Sequence, residues 1–212
     1  MKKIKLIQIG IIVLSFIIPI FLYSKLPEHM ASHWDMNGKV NGYMPKFWGI
    51  FIMPIISMTI YLLLTYLPKI DPMKENIKTF GTYYDTFITV FLGFFLYISL
   101  IVLSWNLGYK FDMNLMIIPS ISVLFYFVGE LLINSKRNWF IGIRTPWTLS
   151  NDIVWEKTNK LGGKIFKIIA LIFLLAIFTG INIFYVIVVP ILASVIFLLV
   201  YSYLEYKKIN KN

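Results

Sequence analysis

Apolar residues run along this chain in long blocks, without the alternation of strands or the one-sided stripes of soluble helices. Six blocks, at 4–24, 47–67, 84–105, 115–134, 165–180 and 183–204, are rich in Leu, Ile, Val and Phe and carry one charge or none. Each approaches the roughly 20 residues that a helix needs to cross about 30 Å of hydrocarbon. A backbone in lipid must satisfy its own polar groups, so the blocks predict helices; a barrel would need strict alternation, which 191–200 lacks. Each Leu, Ile, Val or Phe favours insertion by about 0.3–0.6 kcal/mol, against about 2.5–3.5 for one central charge, so these blocks insert. The fifth is the weakest: Lys164 and Lys167 must snorkel from its start, and only Gly180, Ile181 and Asn182 separate it from the sixth, predicting a tight hairpin there.

Composition agrees. Of 212 residues 58% are hydrophobic and 14% charged, against roughly 25% charged in soluble domains. The net charge of +10 raises the question of nucleic acid, but the basic residues flank apolar blocks and form no separate polar face. Their distribution predicts orientation instead. With the amino terminus in the cytoplasm, 16 of the 20 Lys and Arg fall on the inner side, and only Lys25, Lys39, Lys46 and Lys110 fall outside. The expected fold is thus an all-α integral membrane protein, one domain over 1–212, a bundle of about six transmembrane helices with both termini inside. Lys2, Lys3 and Lys5 mimic the start of a signal peptide, but the run 6–23 exceeds the usual roughly 7–15 residues and no small-x-small site follows, so a retained helix is expected. Absence of cysteine removes disulfides, thiolate zinc sites and cysteine nucleophiles.

Two loops are long enough to carry function. The outer one, 25–46, is rich in turn formers: Pro27, Asn37-Gly38, Asn41-Gly42 and Pro45. The inner one, 135–163, is amphipathic. There Ser150 is placed to cap a short helix over 151–161, Asp152 favours its positive end, and Gly162-Gly163 is expected to end it. Trp139, Phe140, Trp147 and Trp155 suit the membrane interface, so this loop is expected on the bilayer surface.

Candidate chemistry is sparse. His29 and His33, four apart with Glu28 and Asp35 nearby, would share one helical face and could offer a divalent metal site; Pro27 and the Asn-Gly turns argue against a helix there, and no third ligand is fixed. Glu130 lies inside the fourth block near its inner end, where Arg144 or Arg137 could pair with it and hold the loop against the bundle. Asp85 reads as an interface residue. Pro19, Pro54, Pro119 and Pro190 read as packing kinks, and Gly93, Gly129 and Ser99 as points of close helix approach. No nucleophile with an orienting base, phosphate loop or carboxylate cluster is found, so neither an enzyme nor a cofactor is expected.

The stretch 138–150, NWFIGIRTPWTLS, followed by Val154-Trp155, Thr158-Asn159 and Gly162-Gly163, resembles the hallmark of the SdpI-type immunity proteins of the sporulation-delaying toxin system. The outer loop, with Pro27, His33-Trp34, Asn37-Gly38, Gly42 and Lys46, is similar to the small extracellular module preceding it in that family. The resemblance spans nearly the whole chain. Asn159 stands where many relatives would have histidine, which removes acid–base chemistry from that position, and His29 falls outside the pattern. The resemblance implies a multi-pass protein of the cell membrane that protects a producer cell from a secreted peptide toxin and, in some members, relays that event to a cytoplasmic repressor. Its expected site residues are Asn138, Phe140, Gly142, Arg144, Thr145, Pro146, Trp147 and Trp155 in the inner loop and His33, Trp34, Asn37, Gly38 and Gly42 in the outer. On physical grounds the inner stretch reads as a fixed turn: Gly142 lets backbone approach a neighbour, Pro146 pushes Thr145 out of helical geometry, and Arg144 offers a planar fork to a carboxylate. Lipid, a peptide toxin and a repressor are the expected partners, with no direct nucleic-acid contact. The alternative is a small-molecule or ion transporter, which would need polar groups converging at mid-membrane; Glu130, Asn182 and Asp85 lie near block ends.

Overall fold

The computed structural model describes residues 2–179 and 182–210. Its order is α1 (Lys2–Leu22), β1 (His29–Trp34), β2 (Val40–Pro45), α2 (Lys46–Ile70), α3 (Lys74–Thr79), α4 (Gly81–Asn106), α5 (Met113–Asn134), α6 (Pro146–Ser150), α7 (Asp152–Ala176) and α8 (Ile183–Ile209). Five helices, α1, α2, α4, α5 and α8, are long and apolar enough to cross a membrane. Many of their large apolar side chains face outward, among them Phe21, Leu63, Val195, Ile196 and Leu199. Water would penalise that surface, whereas lipid accepts it, and the chain is a multi-pass membrane protein. Pro19, Pro54, Pro119 and Pro190 all lie within helices.

The fifth block, 165–180, behaves differently from a simple span. The expected break at Gly162-Gly163 is absent: α7 runs unbroken through both glycines, from a cap at Asn151, whose side chain accepts from the Ile153 and Val154 amides, and not from Ser150. Its first half carries Glu156, Lys157, Lys160 and Lys164, which keeps it out of the set of five apolar helices. The glycines do not end the helix because they serve packing. A Cβ on Gly163 would lie 2.5 Å from the Gly129 carbonyl oxygen of α5, and one on Gly129 would lie 2.6 Å from the Gly163 oxygen. Only hydrogen at both positions lets the two backbones meet. Farther along, Phe125 stacks on Phe166 at 5.3 Å and meets Phe173 edge-on at 5.1 Å, with Ile118 and Ile169 in the same cluster. Gly93 has no such role; a Cβ there meets nothing within 4 Å. The expected turn at Gly180 and Ile181 lies outside the described residues.

Polar side chains knit the remaining helices together. Buried Gln8 of α1 donates to the Asp85 carbonyl (3.0 Å) and the Thr89 hydroxyl (3.2 Å) of α4. Buried apolar clusters form at both ends of the bundle, around Leu26, Met30, Ile50 and Leu103 beneath the hairpin, and around Ile77, Phe80, Tyr84 and Leu131 at the opposite end.

Candidate functional site

The 25–46 segment is a β-hairpin, so His29 and His33 lie on a strand and not on a helical face. β1 and β2 pair antiparallel, from His29 opposite Pro45 to Trp34 opposite Val40, with irregular register around His33. The turn is built by Asp35, whose carboxylate accepts from the Asn37 and Lys39 amides (2.8 and 2.9 Å). Gly38 follows at φ +73°, against the Asp112 carboxylate; that backbone region is the reason for an Asn-Gly pair. Gly42 faces His33 so closely that a Cβ would come within 2.9 Å of the histidine Cβ, and the His33 ring bonds Asn41. Trp34 packs edge-on against Trp105 of α4 at 5.5 Å. Among the described residues no group of three or more His, Asp or Glu is placed to hold a metal.

Sequence reasoning missed what fastens the hairpin. Asn106, at the end of α4, accepts from the Ala31 amide (2.8 Å) and donates to the Ala31 carbonyl (3.0 Å), imitating a third strand along β1. Met30 fills the space over Gly49 of α2, and Lys46 pairs with Glu28 at 2.7 Å. That ammonium holds the Glu28 carboxyl below the usual carboxylate range. Asn106→Ala is expected to release β1 while leaving the bundle folded: tryptophan emission from the Trp34–Trp105 contact should shift and Ala31 should lose amide-exchange protection about tenfold, as the loss of roughly 1–2 kcal/mol of hydrogen bonding implies. Unchanged protection would remove the clamp from this account.

The inner loop is a folded unit at the opposite end of the bundle. Its centre is Asn138, which is fully buried. The amide nitrogen donates to the carbonyls of Lys136 and Ile141, both at 2.8 Å, and its oxygen accepts from the amides of Phe140 (2.9 Å) and Ile141 (2.6 Å). Gly142 follows at φ +126°, where a Cβ would lie 2.7 Å from the Trp155 ring. Trp155 is buried in protein, against the interfacial expectation, and its indole donates to the Ser135 carbonyl at 3.2 Å. Asn159 uses both ends of its amide, accepting from the Ile143 amide (2.8 Å) and donating to the Trp155 carbonyl (3.1 Å). An asparagine in that position is a structural tie.

Beyond Gly142 the chain enters α6. Thr145 caps it and exchanges bonds with Thr148, while Pro146 occupies the first turn, where a missing amide hydrogen loses nothing. The Thr145 hydroxyl also meets Ser202 of α8 at 3.0 Å, and Trp147 packs on Tyr203 at 5.1 Å. From the other side Asp71, nearly fully buried after α2, accepts from the Trp139 amide at 2.9 Å and the Met73 amide at 2.6 Å. Asn76 of α3 donates to the Arg137 carbonyl at 2.7 Å. The loop is therefore tied to α2, α3, α7 and α8.

The charged partners differ from expectation. Glu130 pairs with Lys167 one helix over, and with neither arginine; the Gly129–Gly163 crossing brings these positions side by side. Arg137 pairs with Asp152 at 2.8 Å and donates to the Leu149 carbonyl at 3.0 Å. Arg144 donates to the Trp139 carbonyl and has no carboxylate partner among the described residues. Arg144, Pro146 and Trp139 are exposed, whereas Asn138, Thr145, Thr148 and Trp155 are buried. The expected residues thus divide into a buried scaffold and an outward set.

Comparison with known proteins covers both ends. The model of the SdpI/YfhL protein family matches residues 134–202, which hold the inner loop, α7 and most of α8. A domain of unknown function (DUF1648) matches residues 10–58, which hold the hairpin and the adjoining parts of α1 and α2. No solved structure matches the chain. The immunity protein SdpI of Bacillus subtilis (strain 168) is 31% identical over 211 residues, covering 99% of this chain and 99% of that protein. With matching sequence along its entire length, and a loop whose buried ties account for the residues of the matched segment, the chain belongs to the SdpI/YfhL family.

Proposed function

We propose that this membrane protein protects the cell that carries it from a secreted peptide toxin, and that its inner loop relays the toxin's presence to a cytoplasmic repressor held at the membrane. The observation that carries the reading is end-to-end similarity to an immunity protein, including both the hairpin and the loop. The proposed topology has six crossings with both termini inside. Two features support it: the 16-to-4 division of basic residues, and the course of α7, which lies along α5 from Gly163 at Gly129 to Phe173 at Ile118.

The two ends suit separate tasks. The hairpin and the aromatic faces of the spans offer an amphipathic peptide an apolar surface with polar edges. The inner loop fixes Arg144 and Trp139 outward on a rigid frame, which lets a soluble partner dock without ordering the loop first. Communication between them requires two arrangements of the bundle that toxin biases by differential binding. The Glu130–Lys167 pair beside the α5–α7 crossing is our candidate for the element that changes.

The test is survival of a toxin-sensitive strain expressing this protein, titrated with purified peptide. Survival equal to that of the empty vector would end the immunity reading. Arg144→Ala, which removes one exposed bond worth about 1 kcal/mol, is expected to leave membrane level and melting midpoint nearly unchanged while abolishing repressor release in a reporter strain. A reporter response equal to wild type would free Arg144 of any part in the relay.

A further inference from the structure

At the end of the bundle opposite the hairpin, α2, α3 and the start of α4 enclose a cleft of about 600 Å³. Its walls include Lys69, Lys74 and Lys78, its floor is Pro68, Ile77 and Tyr84, and Asp85 supplies the one carboxylate of the lining. Neither the hairpin nor the inner loop contributes to it.

Three features give the cleft a ligand class. The first is uncompensated charge: Lys78 is taken up by Glu75 at 2.6 Å, but Lys69 and Lys74 have no carboxylate partner among the described residues, and Lys69 rests over the Tyr66 ring at 4.3 Å. The second is an apolar approach. Leu62, Leu63, Tyr66 and Ile70 are all exposed on α2, and 62, 66 and 70 follow one another at a helical spacing of four, forming a track that ends beside Lys69. The third is depth: α2 is one of the five membrane-crossing helices and the cleft lies at its terminus, where apolar surface gives way to charge. A phosphate free in water would satisfy the lysines alone, without using the lipid-facing residues of α2 that adjoin Lys69. A phospholipid satisfies both, with its anionic headgroup among the ammoniums and an acyl chain along α2.

We propose that this cleft is a binding site for one anionic phospholipid, with Lys69 and Lys74 holding the headgroup phosphate, Tyr84 and Ile77 forming its floor, and the 62–66–70 track carrying a chain. The inference rests on the multi-pass architecture alone, so immunity and lipid binding stand or fall separately.

The experiment uses the full-length protein in neutral detergent, with bound lipid counted by native mass spectrometry and the melting midpoint followed as phosphatidylglycerol, phosphatidylcholine or inorganic phosphate is added. Wild type is expected to retain one phosphatidylglycerol and to be stabilised by it. Lys69→Gln with Lys74→Gln should bind roughly thirty-fold more weakly, following about 1 kcal/mol for each lysine. Lys164→Gln with Lys207→Gln, which removes equal charge elsewhere, should bind as wild type does, and a melting midpoint unchanged without lipid keeps the cleft variant interpretable. Glu75→Gln frees Lys78 and should tighten binding. Equal retention of phosphatidylcholine, equal stabilisation by inorganic phosphate, or equal weakening by the two lysine pairs would each overturn the proposal.

Discussion

Replacing Gly163 with leucine is expected to prevent α5 and α7 from packing, giving a protein that reaches the membrane but melts far below wild type or aggregates on extraction. The cause is backbone against backbone. A Cβ at 163 would stand 2.5 Å from the Gly129 oxygen and 2.6 Å from Ile133 Cγ1, and a carbonyl cannot rotate away as a flexible side chain can. Overpacking a tight site costs about 1–3 kcal/mol when side chains absorb it. A clash with main chain belongs at or above the top of that range, so Gly163→Ala should already lower stability by about 3 kcal/mol. Gly93→Ala is the matched control, since nothing lies within 4 Å there, and it should melt like wild type. The measurement is the melting midpoint in detergent across the three variants. A wild-type midpoint for Gly163→Leu would mean that the helices do not cross here, and the neighbouring Glu130–Lys167 pair would lose its geometric basis.

Asn138→Ala should unfold the inner loop while leaving the bundle assembled. Alanine removes four hydrogen bonds at once and leaves the amides of Phe140 and Ile141 and the carbonyls of Lys136 and Ile141 without their partner. Each net bond is worth about 0.5–1.5 kcal/mol, and a group left buried without one costs about 1–3. A local loss of about 2–4 kcal/mol follows. Because Lys136 and Arg137 immediately precede the site, trypsin should cut there at least tenfold faster in the variant, with far-UV helix content unchanged. Asn138→Asp keeps both acceptor bonds but sets a buried carboxylate oxygen against the Lys136 and Ile141 carbonyls, so it should be cut at least as fast as Asn138→Ala. If all three proteins resist trypsin equally, the loop is held by Trp155 and Thr148, and Asn138 is not its organiser. In a reporter strain Asn138→Ala and Arg144→Ala should both lose the relay, but only the first should become protease-sensitive; that difference distinguishes a scaffold from a contact.

The helical blocks, the fold class and the family were legible in the sequence for one reason: each rests on local pattern. Lipid demands uninterrupted apolar length, so the positions of α1, α2, α4, α5 and α8 follow from reading along the chain. Thr145-Pro146 at the start of α6 is equally local, a cap and a first-turn proline. The hairpin was half legible. Asn37-Gly38 and Asn41-Gly42 announced turns, but its clamp, Asn106, lies 75 residues away from Ala31. No local rule connects them.

Misreadings arose where one residue type has two uses. Gly162-Gly163 breaks a helix in water-exposed surroundings and permits close approach in a packed bundle; α5 on the other side decided for packing. Trp155 suits an interface by its amphipathic ring, yet a cavity formed by Gly142, Ser135 and Asn159 received it whole. Glu130 required a cation, and sequence offered several; Lys167 became its partner only once the glycine crossing fixed the register of α5 against α7. Asp71 was not legible as a site residue, because its tie to the Trp139 amide spans 68 residues.

By itself, then, the sequence determined the solvent, the positions of the five long apolar helices, and the family, because hydropathy, turn chemistry and motif are properties of neighbouring residues. Tertiary structure alone decided which groups pair, which loop residues are buried scaffold and which face outward, and that two lysines without carboxylate partners among the described residues share a cleft at the end of α2. Those outcomes depend on distances between segments far apart in the chain, and such distances come into being only when the helices pack.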